Sequence, residues 1–316
     1  MRLIRGAASI ESSDKDCVAT IGSFDGVHLG HQRILDKLSC IARACSRPTC
    51  VIVFEPLPGE FFSDERVPAR LQTLREKLES LREFGVDQVL CLPFDRQLRC
   101  LTADLFIQKI LVDGLAVRHL LVGDDFRFGC DRKGNLACLR RAGQAHGFTV
   151  EQTPTCILGG ARVSSTRLRG VLARGDFAAA ATLLGRPFVM SGRVRPGRRL
   201  GSQLGVPTAN LATKRLRSPV RGVCAVRVRI EGRPGWHKGV ANLGCRPTLG
   251  GSDEILEVHL LDFEGDLYGC KLFVSFVRLL RAEKKFDGIA ALRAAMAADI
   301  SQARQFLSAL PAVESS

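Results

Sequence analysis

Residues 19–33 constrain the fold of this chain more than any other segment. The segment starts as an apolar run that ends at Gly22, crosses a short polar turn, and resumes at Gln32 with apolar residues at helical spacing. This order predicts a strand, a loop and a helix. The loop carries His28 and His31 at the point where the helix begins. Free backbone N–H groups and the positive end of the helix dipole would face an anion there, and phosphate is the obvious one.

Strand-like and helix-like patterns alternate through the first half of the chain. Each short apolar run ends in a loop rich in glycine, proline or polar residues. The predicted strands span residues 18–21, 50–54, 88–92 and 117–122, and further predicted helices span residues 71–84 and 102–111. Such alternation predicts an α/β doubly wound parallel sheet. Ligands of these sheets bind at the carboxyl ends of the strands, which is where the loops fall.

From Gly185 onward the pattern changes to short β-prone segments separated by turns. The predicted strands span residues 189–194, 223–230, 237–242, 256–262 and 272–277, and a predicted helix spans residues 287–307. This pattern predicts a small antiparallel β-barrel domain with a C-terminal helix. A chain of 316 residues is long enough for two domains, which we place at residues 1–185 and 186–316.

The formal net charge of +14 and the pI of about 9.6 would suit a nucleic-acid-binding protein. However, Lys and Arg are spread from Arg2 to Arg304, and aromatic residues make up only 6% of the chain. A protein that handles small polyphosphates explains the charge as well, and so does a basic surface that merely maintains solubility. We therefore expect no nucleic-acid partner.

The cysteines and the apolar segments favour a cytoplasmic location. None of the twelve cysteines belongs to a Cys-x-x-Cys pair, and several lie in apolar runs, which predicts free thiols in a reducing compartment. The first residues lack the long apolar segment of a signal peptide. No window approaches the roughly 18 apolar residues of a membrane span, so we expect no membrane partner.

The residues alone leave more than one interpretation open at each candidate site. His28 and His31 could bind phosphate, but imidazoles are also good zinc ligands, and a metal pair is the main alternative. The run Ser164-Ser-Thr166 could simply cap a helix. Glu257 could be an ordinary exposed strand residue paired with an arginine.

The motif Gly22-Ser-Phe-Asp-Gly-Val-His-Leu-Gly-His31 is followed by further motifs along the chain. These lie at residues 54–56, 60–62, 123–129, 163–169, 207–210, 239–248 and 256–269. In this order they resemble the bacterial bifunctional riboflavin kinase/FAD synthetases, and the resemblance covers nearly the whole chain. The last four residues of the first motif also resemble the signature of the nucleotidylyltransferase superfamily.

The resemblance implies that the first domain is an FMN adenylyltransferase of the nucleotidylyltransferase fold. It would transfer AMP from ATP to FMN, which yields FAD and pyrophosphate. Its implied catalytic residues are His28, His31 and Arg169. The implied ATP-binding residues are Gly22, Phe24, His28, His31, Ser164, Ser165 and Thr166, and the implied flavin-binding residues are Phe54, Pro56, Phe62, Asp125 and Arg162.

For the second domain the resemblance implies a riboflavin kinase that forms FMN with MgATP. Glu257 is the implied catalytic base, Thr208 and Asn210 would hold Mg²⁺, and Arg281 would bind flavin. The implied ATP-binding residues are Gly197, Gly201, Thr208 and Asn210.

Three positions depart from the family pattern. Leu57 and Arg195 stand where the family has a histidine, and Ser202 stands where it has an arginine. We expect a bifunctional enzyme of flavin cofactor synthesis whose partners are riboflavin, FMN and ATP, as a monomer or weak homo-oligomer. Two alternatives are a metal-dependent hydrolase and a flavin- or RNA-binding regulator without catalysis.

Overall fold

The computed structural model of this protein describes residues 1–62, 67–197, 205–248 and 251–311, without the side chains of 245–248 and 251–253. The chain divides into two units. The first contains Met1–Pro68 and Leu74–Ser165, and the second contains Ala69–Thr73 and Thr166–Ser316. Each unit has its own sheet and its own core, and each is described separately below.

A parallel sheet of six strands forms the centre of the first unit, in the order β1-β4-β3-β2-β5-β6. Its strands are β1 Arg2–Arg5, β2 Val18–Ile21, β3 Thr49–Glu55, β4 Gln88–Pro93, β5 His119–Val122 and β6 Thr149–Gln152. Its helices are α1 Leu29–Ala44, α2 Pro58–Phe61, α3 Leu74–Glu83, α4 Arg96–Cys100, α5 Ala103–Phe106 and α6 Leu136–His146. A π-helical turn, Ile107–Val112, continues α5, and a small hairpin, β7 Ile157–Leu158 and β8 Ala161–Arg162, follows β6.

Helices cover both faces of this sheet, as a doubly wound fold requires. On one face, α5 and α6 pack on side chains such as Ile21 and Leu120. On the other face, α1 and α3 pack on Val18 and Val51. Because both faces are buried, β2 is apolar along its whole length except for Thr20, which is itself buried.

The order in which the chain adds strands to the sheet reverses at β2. The strand that follows it, β3, lies on one side, whereas β5 lies on the other. In open α/β sheets the crevice at such a switch point is where ligands bind, at the carboxyl ends of the strands. The loops that leave β2 and β5 therefore meet at the expected ligand-binding edge of this unit.

Most of the predicted elements of the first unit are confirmed, with one partial error. The strand at 18–21 is observed with the same bounds, and the helix predicted over 102–111 is observed as α5 and its π-helical continuation. The helix predicted over 71–84 begins only at Leu74. Residues 69–73 instead belong to the second unit, where Arg215 donates hydrogen bonds to the carbonyls of Arg70 (3.1 Å) and Leu71 (3.2 Å). These bonds satisfy the carbonyls without a helix.

The second unit is built around a closed barrel with strand order β10-β13-β12-β11-β14-β9. Its strands are β9 Val189–Arg195, β10 Ala209–Ala212, β11 Gly222–Ile230, β12 His237–Thr248, β13 Gly251–Leu260 and β14 Lys271–Arg281. Its helices are α7 Ser165–Ala173, whose first residue lies in the first unit, α8 Phe177–Leu184 and α9 Ile289–Ser308. All barrel strand pairs are antiparallel. The predicted fold class is thus confirmed in both parts.

Strands missing from the sequence prediction are short. β1 and β6 have four residues each and lie at the sheet edges, where charged and polar residues mask the β pattern. β10 also has four residues and follows a stretch rich in glycine and arginine. By packing, α8 belongs to the second unit, with Phe177 and Phe276 ring centroids 5.6 Å apart. The functional domain boundary at 185/186 stays a prediction.

The cysteines whose side chains the structure describes are all free thiols. Cys224 lies in the barrel core, and burial raises the pKa of its thiol to about 12. Because the thiolate is the reactive form, burial of this kind keeps the side chain inert.

The C-terminal helix α9 is held on the barrel by apolar contacts and one ion pair. Ala303 and Leu307 pack against Ala225 of β11. One turn before Ala303, the guanidinium of Arg281 donates to both carboxylate oxygens of Asp299, at 2.8–3.1 Å. Asp299 is buried, so this bidentate pair is shielded from solvent.

Replacement of Asp299 by Ala should destabilise the second unit, because it leaves the Arg281 charge without its buried partner. We expect a loss of about 3 kcal/mol in the free energy of unfolding, measured by chemical denaturation. The matched control is Asp262→Ala, which removes the exposed ion pair with Arg304 (2.6 Å) and should cost less than about 1 kcal/mol. Equal effects of the two substitutions would contradict this role of the buried pair.

Candidate functional site

The loop between β2 and α1 is tightly packed and strained. Phe24 and Val27 adopt left-handed backbone angles, with φ of 45° and 42°, although neither is glycine. Such conformations cost about 1–3 kcal/mol each and persist only where packing enforces them. Both side chains are buried, and a Cβ at Gly22 would lie 3.1 Å from the Phe24 ring. The loop is therefore held in one shape at the switch point of the sheet.

His28 caps the N-terminus of α1. Its Nδ1 accepts a hydrogen bond from the backbone N–H of His31 at 3.3 Å. An accepting Nδ1 places the proton of the neutral ring on Nε2, so Nε2 is a donor. The rings of His28 and His31 stack, with centroids 3.8 Å apart. A Cβ at Gly30 would lie 3.2 Å from the His28 ring, so glycine is the residue that fits between the two histidines.

The environment of His31 keeps its imidazole neutral. Burial is the largest cause that lowers the pKa of His31 well below its usual value, and the positive potentials of His28 and Lys77 add to it. Lys77 is itself buried. A neutral His31 can donate one N–H to an anion but brings no charge. The positive potential at this helix start therefore comes from the α1 dipole and from neighbouring cations.

An aromatic cluster lies beyond the ends of β3 and β4. The rings of Phe54, Phe61, Phe62 and Phe94 pack edge to face, with centroids 5.4–6.0 Å apart. Phe62 is 58% exposed, and the Arg99 guanidinium lies 5.0 Å from its ring centroid. An exposed ring held by its neighbours provides a face on which a flat ligand ring can stack. The sequence indicated Phe54 and Phe62 but not their partners.

Two carboxylates follow β5 and share one arginine. Arg162 on β8 lies 2.9 Å from Asp124 Oδ1 and 3.0 Å from Asp125 Oδ1. The hydroxyl of Thr155 is the largest cause that lowers the pKa of Asp124. The carboxylate of Asp125 is much more exposed than that of Asp124. The structure thus brings the predicted residues Asp125 and Arg162 together and adds Asp124, which sequence reasoning missed although it is the adjacent residue.

The start of α7 contacts the strained loop inside the first unit. Ser165 donates its hydroxyl to the backbone carbonyl of Asp25 at 2.8 Å, and Val163 lies 3.5 Å from the position of a Cβ at Gly30. Ser164 directly precedes the helix and is half-buried. Two further predicted residues of this helix, Thr166 and Arg169, belong to the second unit, where Arg169 donates to the Ala69 carbonyl at 2.6 Å. Their predicted role in phosphate binding stays a prediction.

In the second unit, the strand register aligns the polar residues of three neighbouring strands. Asn210 on β10 lies opposite Glu257 on β13, and Glu257 lies opposite Asn242 on β12. Leu256 and Val258, the neighbours of Glu257, are buried in the barrel interior. Since side chains alternate between the two faces of a strand, the row Asn210-Glu257-Asn242 lies on the outer face of the barrel wall.

Two amide oxygens in this row have no hydrogen-bond donor among the described residues. They are Oδ1 of Asn210 and Oδ1 of Asn242, and both atoms are buried. A buried polar atom without a partner costs about 1–3 kcal/mol, and an ordered water molecule, an ion or a ligand can supply the partner. The amide nitrogen of Asn210 faces the Thr208 carbonyl at 3.4 Å, which leaves the oxygen of the amide for a different group.

The backbone on both sides of the row is closely fitted to it. A Cβ at Gly197 would lie 2.3 Å from the Asn210 amide nitrogen, so the segment after β9 passes directly over Asn210. His259 Nδ1 lies 2.8 Å from the Pro207 carbonyl and fixes the chain before Thr208. Arg195 on β9, one of the departures from the family, lies opposite Asn210 on β10.

Three other predicted positions are placed as follows. Gly201 and Ser202 lie outside the described residues. Arg281 is bound to Asp299, and its role in flavin binding stays a prediction.

Within the described part of the chain, no three His, Cys, Asp or Glu side chains form a group that could hold a metal ion. Thr208 and Asn210 would instead ligate a metal through uncharged oxygen atoms, and oxygen is the ligand atom that hard cations such as Mg²⁺ prefer.

Comparison with known proteins assigns both halves of the chain. The family model described as FAD synthetase matches residues 10–167, and the one described as riboflavin kinase matches residues 184–307. A relative from Pseudomonas fluorescens is 52% identical over 305 residues, which cover 96% of this chain and 97% of the relative. Relatives from Escherichia coli K12 and Haemophilus influenzae are 47% and 42% identical and cover 97% of this chain and 98% and 99% of their own lengths. All three are named bifunctional riboflavin kinase/FMN adenylyltransferase.

The chain belongs to this family. As a bifunctional riboflavin kinase/FMN adenylyltransferase it has an N-terminal FAD synthetase domain and a C-terminal riboflavin kinase domain, which confirms the family and the pair of activities predicted from the motifs. A solved structure described as a macrolide-efflux protein from Streptococcus pneumoniae is 28% identical, with a TM-score of 0.78 and coverage of 96% of this chain and 99% of that chain. Among the described residues, no helix is long and apolar enough to cross a membrane.

The depressed pKa of His31 predicts a pH-dependent stability. Below the ordinary value of 6.5, the unfolded chain takes up a proton at this position that the folded chain does not, so the free energy of unfolding falls as the pH is lowered. The loss is up to about 1.4 kcal/mol per pH unit. Unfolding measured between pH 7.5 and 5.5 should show a smaller decrease for His31→Asn than for the wild type. His146→Asn, which removes an exposed histidine at the end of α6, should follow the wild type. The same decrease in all three proteins would contradict the assignment.

Proposed function

We propose that the first unit adenylylates FMN at the start of α1 and that the second unit phosphorylates riboflavin at the row Asn210-Glu257-Asn242. The observation that supports this proposal is that each unit contains a different group of polar side chains. The first set consists of stacked histidines at a helix N-terminus, which suits polyphosphate binding. The second consists of a carboxylate beside amide oxygens that receive no donor from the described residues, which suits proton transfer next to a cation.

In adenylyl transfer, negative charge builds on the pyrophosphate that leaves ATP. Fixed N–H donors stabilise this charge without reorganisation. The backbone N–H groups at the start of α1 and Nε2–H of His28 are such donors, and His31 adds a neutral one. Gly30 allows a phosphate to approach the backbone, and Ser164 contributes a hydroxyl from the start of α7, while the hydroxyl of Ser165 holds the loop through the Asp25 carbonyl. Gly22 and Phe24 keep the loop in the shape that presents these groups.

The flavin substrate of the first unit would use the aromatic cluster. The exposed face of Phe62 stacks on the flavin ring, and Phe54 and Pro56 line the same strand end. Asp125 and Arg162 offer a carboxylate and a cation for the polar edge of the ring and for the phosphate. Leu57 is buried, so at this departure from the family the chain provides packing in place of a polar group.

In the kinase reaction, Glu257 accepts the proton of the ribityl hydroxyl that attacks the γ-phosphate of ATP. Thr208 and Asn210 would hold the Mg²⁺ of MgATP, and Oδ1 of Asn210, which no residue in the described ranges satisfies, fits an oxygen-ligated cation. When bound, Mg²⁺ offsets negative charge on the phosphates. The backbone at Gly197 is close enough to Asn210 to keep its amide in place, and Arg195 adds a positive charge beside it.

Cellular context and assembly extend the proposal. We place the enzyme in the cytoplasm, with riboflavin, FMN and ATP as its small-molecule partners and with neither nucleic acid nor membrane. We further propose that the enzyme acts as a monomer or a weak homo-oligomer.

The decisive test separates the two reactions by substitution. His28→Asn keeps an N-cap acceptor but removes the imidazole, so FAD formation from FMN and ATP should fall at least about 100-fold while FMN formation is unchanged. Glu257→Gln should do the reverse, with a loss of at least about 100-fold in FMN formation. Chromatography of FMN and FAD measures both rates. If each substitution lowered both activities equally, the assignment of separate sites would be wrong.

The flavin role of Phe62 can be tested by Phe62→Ala. Loss of stacking should raise the KM for FMN in adenylyl transfer by roughly 2- to 12-fold, because an aromatic pair contributes about 0.5–1.5 kcal/mol beyond its area. The matched control is Leu105→Ala, another exposed apolar residue of the first unit, which should leave this KM unchanged. An unchanged KM in Phe62→Ala would remove Phe62 from the flavin site.

A further inference from the structure

Asn242 lies beside the proposed catalytic base, and the motifs assign it no role. It pairs with Glu257 on the side of β13 opposite to Asn210, so Glu257 stands between the two asparagines. Ala241 and Leu243, its neighbours on β12, point into the barrel core, which places Asn242 on the same outer face as Glu257.

The amide oxygen of Asn242 is a buried acceptor that no described residue satisfies. A carboxylate such as that of Glu257 is itself an acceptor and cannot supply the missing proton donor. A water molecule, a cation or a donor group of the substrate can therefore satisfy Oδ1.

Strand geometry argues that Asn242 does not bind the cation that Asn210 would hold. Neighbouring strands are about 4.8 Å apart, so Asn210 and Asn242 are separated by about 9.6 Å across β13. An Oδ1 atom reaches about 2.4 Å from its Cβ, which leaves the two oxygens at least about 4.8 Å apart. Two oxygen ligands of one Mg²⁺ are at most about 4.2 Å apart, and side chains on the outside of a barrel diverge further. One ion bound directly by Asn210 is thus out of reach of Asn242.

We propose that Asn242 Oδ1 accepts a hydrogen bond from a hydroxyl of the ribityl chain of riboflavin and thereby positions the attacking hydroxyl against Glu257. This inference rests on the proposed kinase role of Glu257. Asn210 serves the nucleotide side of the carboxylate, and Asn242 serves the flavin side. The attacking oxygen forms its bond to the γ-phosphorus, the bond from that phosphorus to the leaving ADP oxygen breaks, and the proton moves to Glu257. Asn242 neither gains nor loses a proton.

The test is the kinase reaction of Asn242→Ala in the full-length chain, with riboflavin, ATP and Mg²⁺ varied separately. Loss of one hydrogen bond to the substrate should raise the riboflavin KM roughly tenfold, equivalent to about 1.4 kcal/mol. The KM for ATP and the Mg²⁺ requirement should stay within twofold of the wild type. Asn210→Ala is the matched control, with the opposite result expected: a raised Mg²⁺ or ATP requirement and an unchanged riboflavin KM.

Two further measurements separate a substrate contact from a structural effect. Lumiflavin has the flavin ring but no ribityl chain, so its inhibition constant in the kinase assay should be the same for Asn242→Ala and the wild type. The thermal unfolding midpoint of Asn242→Ala should be unchanged or higher, because the substitution removes a buried acceptor for which the described part of the chain offers no partner.

The outcomes are distinguishable from failure of the proposed kinase site. A normal kinase rate in Glu257→Gln would overturn the site itself. If Glu257→Gln is inactive, an unchanged riboflavin KM in Asn242→Ala overturns the present inference alone. So does a raised Mg²⁺ requirement, an equally raised inhibition constant for lumiflavin, or a lowered unfolding midpoint.

Discussion

Hydrogen-bonded pairing between strands determines where both candidate sites of this chain lie. In the first unit, parallel pairing sends every strand end to one edge of the sheet, and the reversal of order at β2 opens a crevice between the loops after β2 and β5. In the second unit, antiparallel pairing places residues from β10, β13 and β12 directly opposite one another. A register shift of one residue would move Glu257 into the barrel interior and Val258 to its outer face.

Close packing then fixes the groups that this pairing brings together. The loop after β2 holds two non-glycine residues in left-handed conformations, and buried aromatic and aliphatic side chains supply the energy that keeps them there. Gly30 and Gly197 serve a related purpose, since each lets a backbone or ring approach to a distance that a Cβ would prevent. In each unit, glycine thus leaves room where a candidate site residue lies close to the backbone.

The polar groups differ in whether the described part of the chain supplies them with a partner. Arg281 and Asp299 satisfy each other and hold α9 on the barrel. The amide oxygens of Asn210 and Asn242 have no donor from the described residues, and burial keeps His31 neutral. Buried groups of the second kind reduce the stability of the free protein, because their desolvation is not offset by a hydrogen bond.

The sequence by itself determined the order of the elements, the change from an α/β to a β architecture, and the motif residues of the family. These depend on local patterns, such as the period of apolar residues and the residues of a turn, which can be read without knowing what lies nearby. The tertiary structure alone decided that residues 69–73 leave α3 to join the second unit, that Arg281 is bound to Asp299, and that Asn242 stands beside Glu257. These relations join residues far apart in the chain, so they depend on strand register and on competition between partners, and no local pattern encodes either.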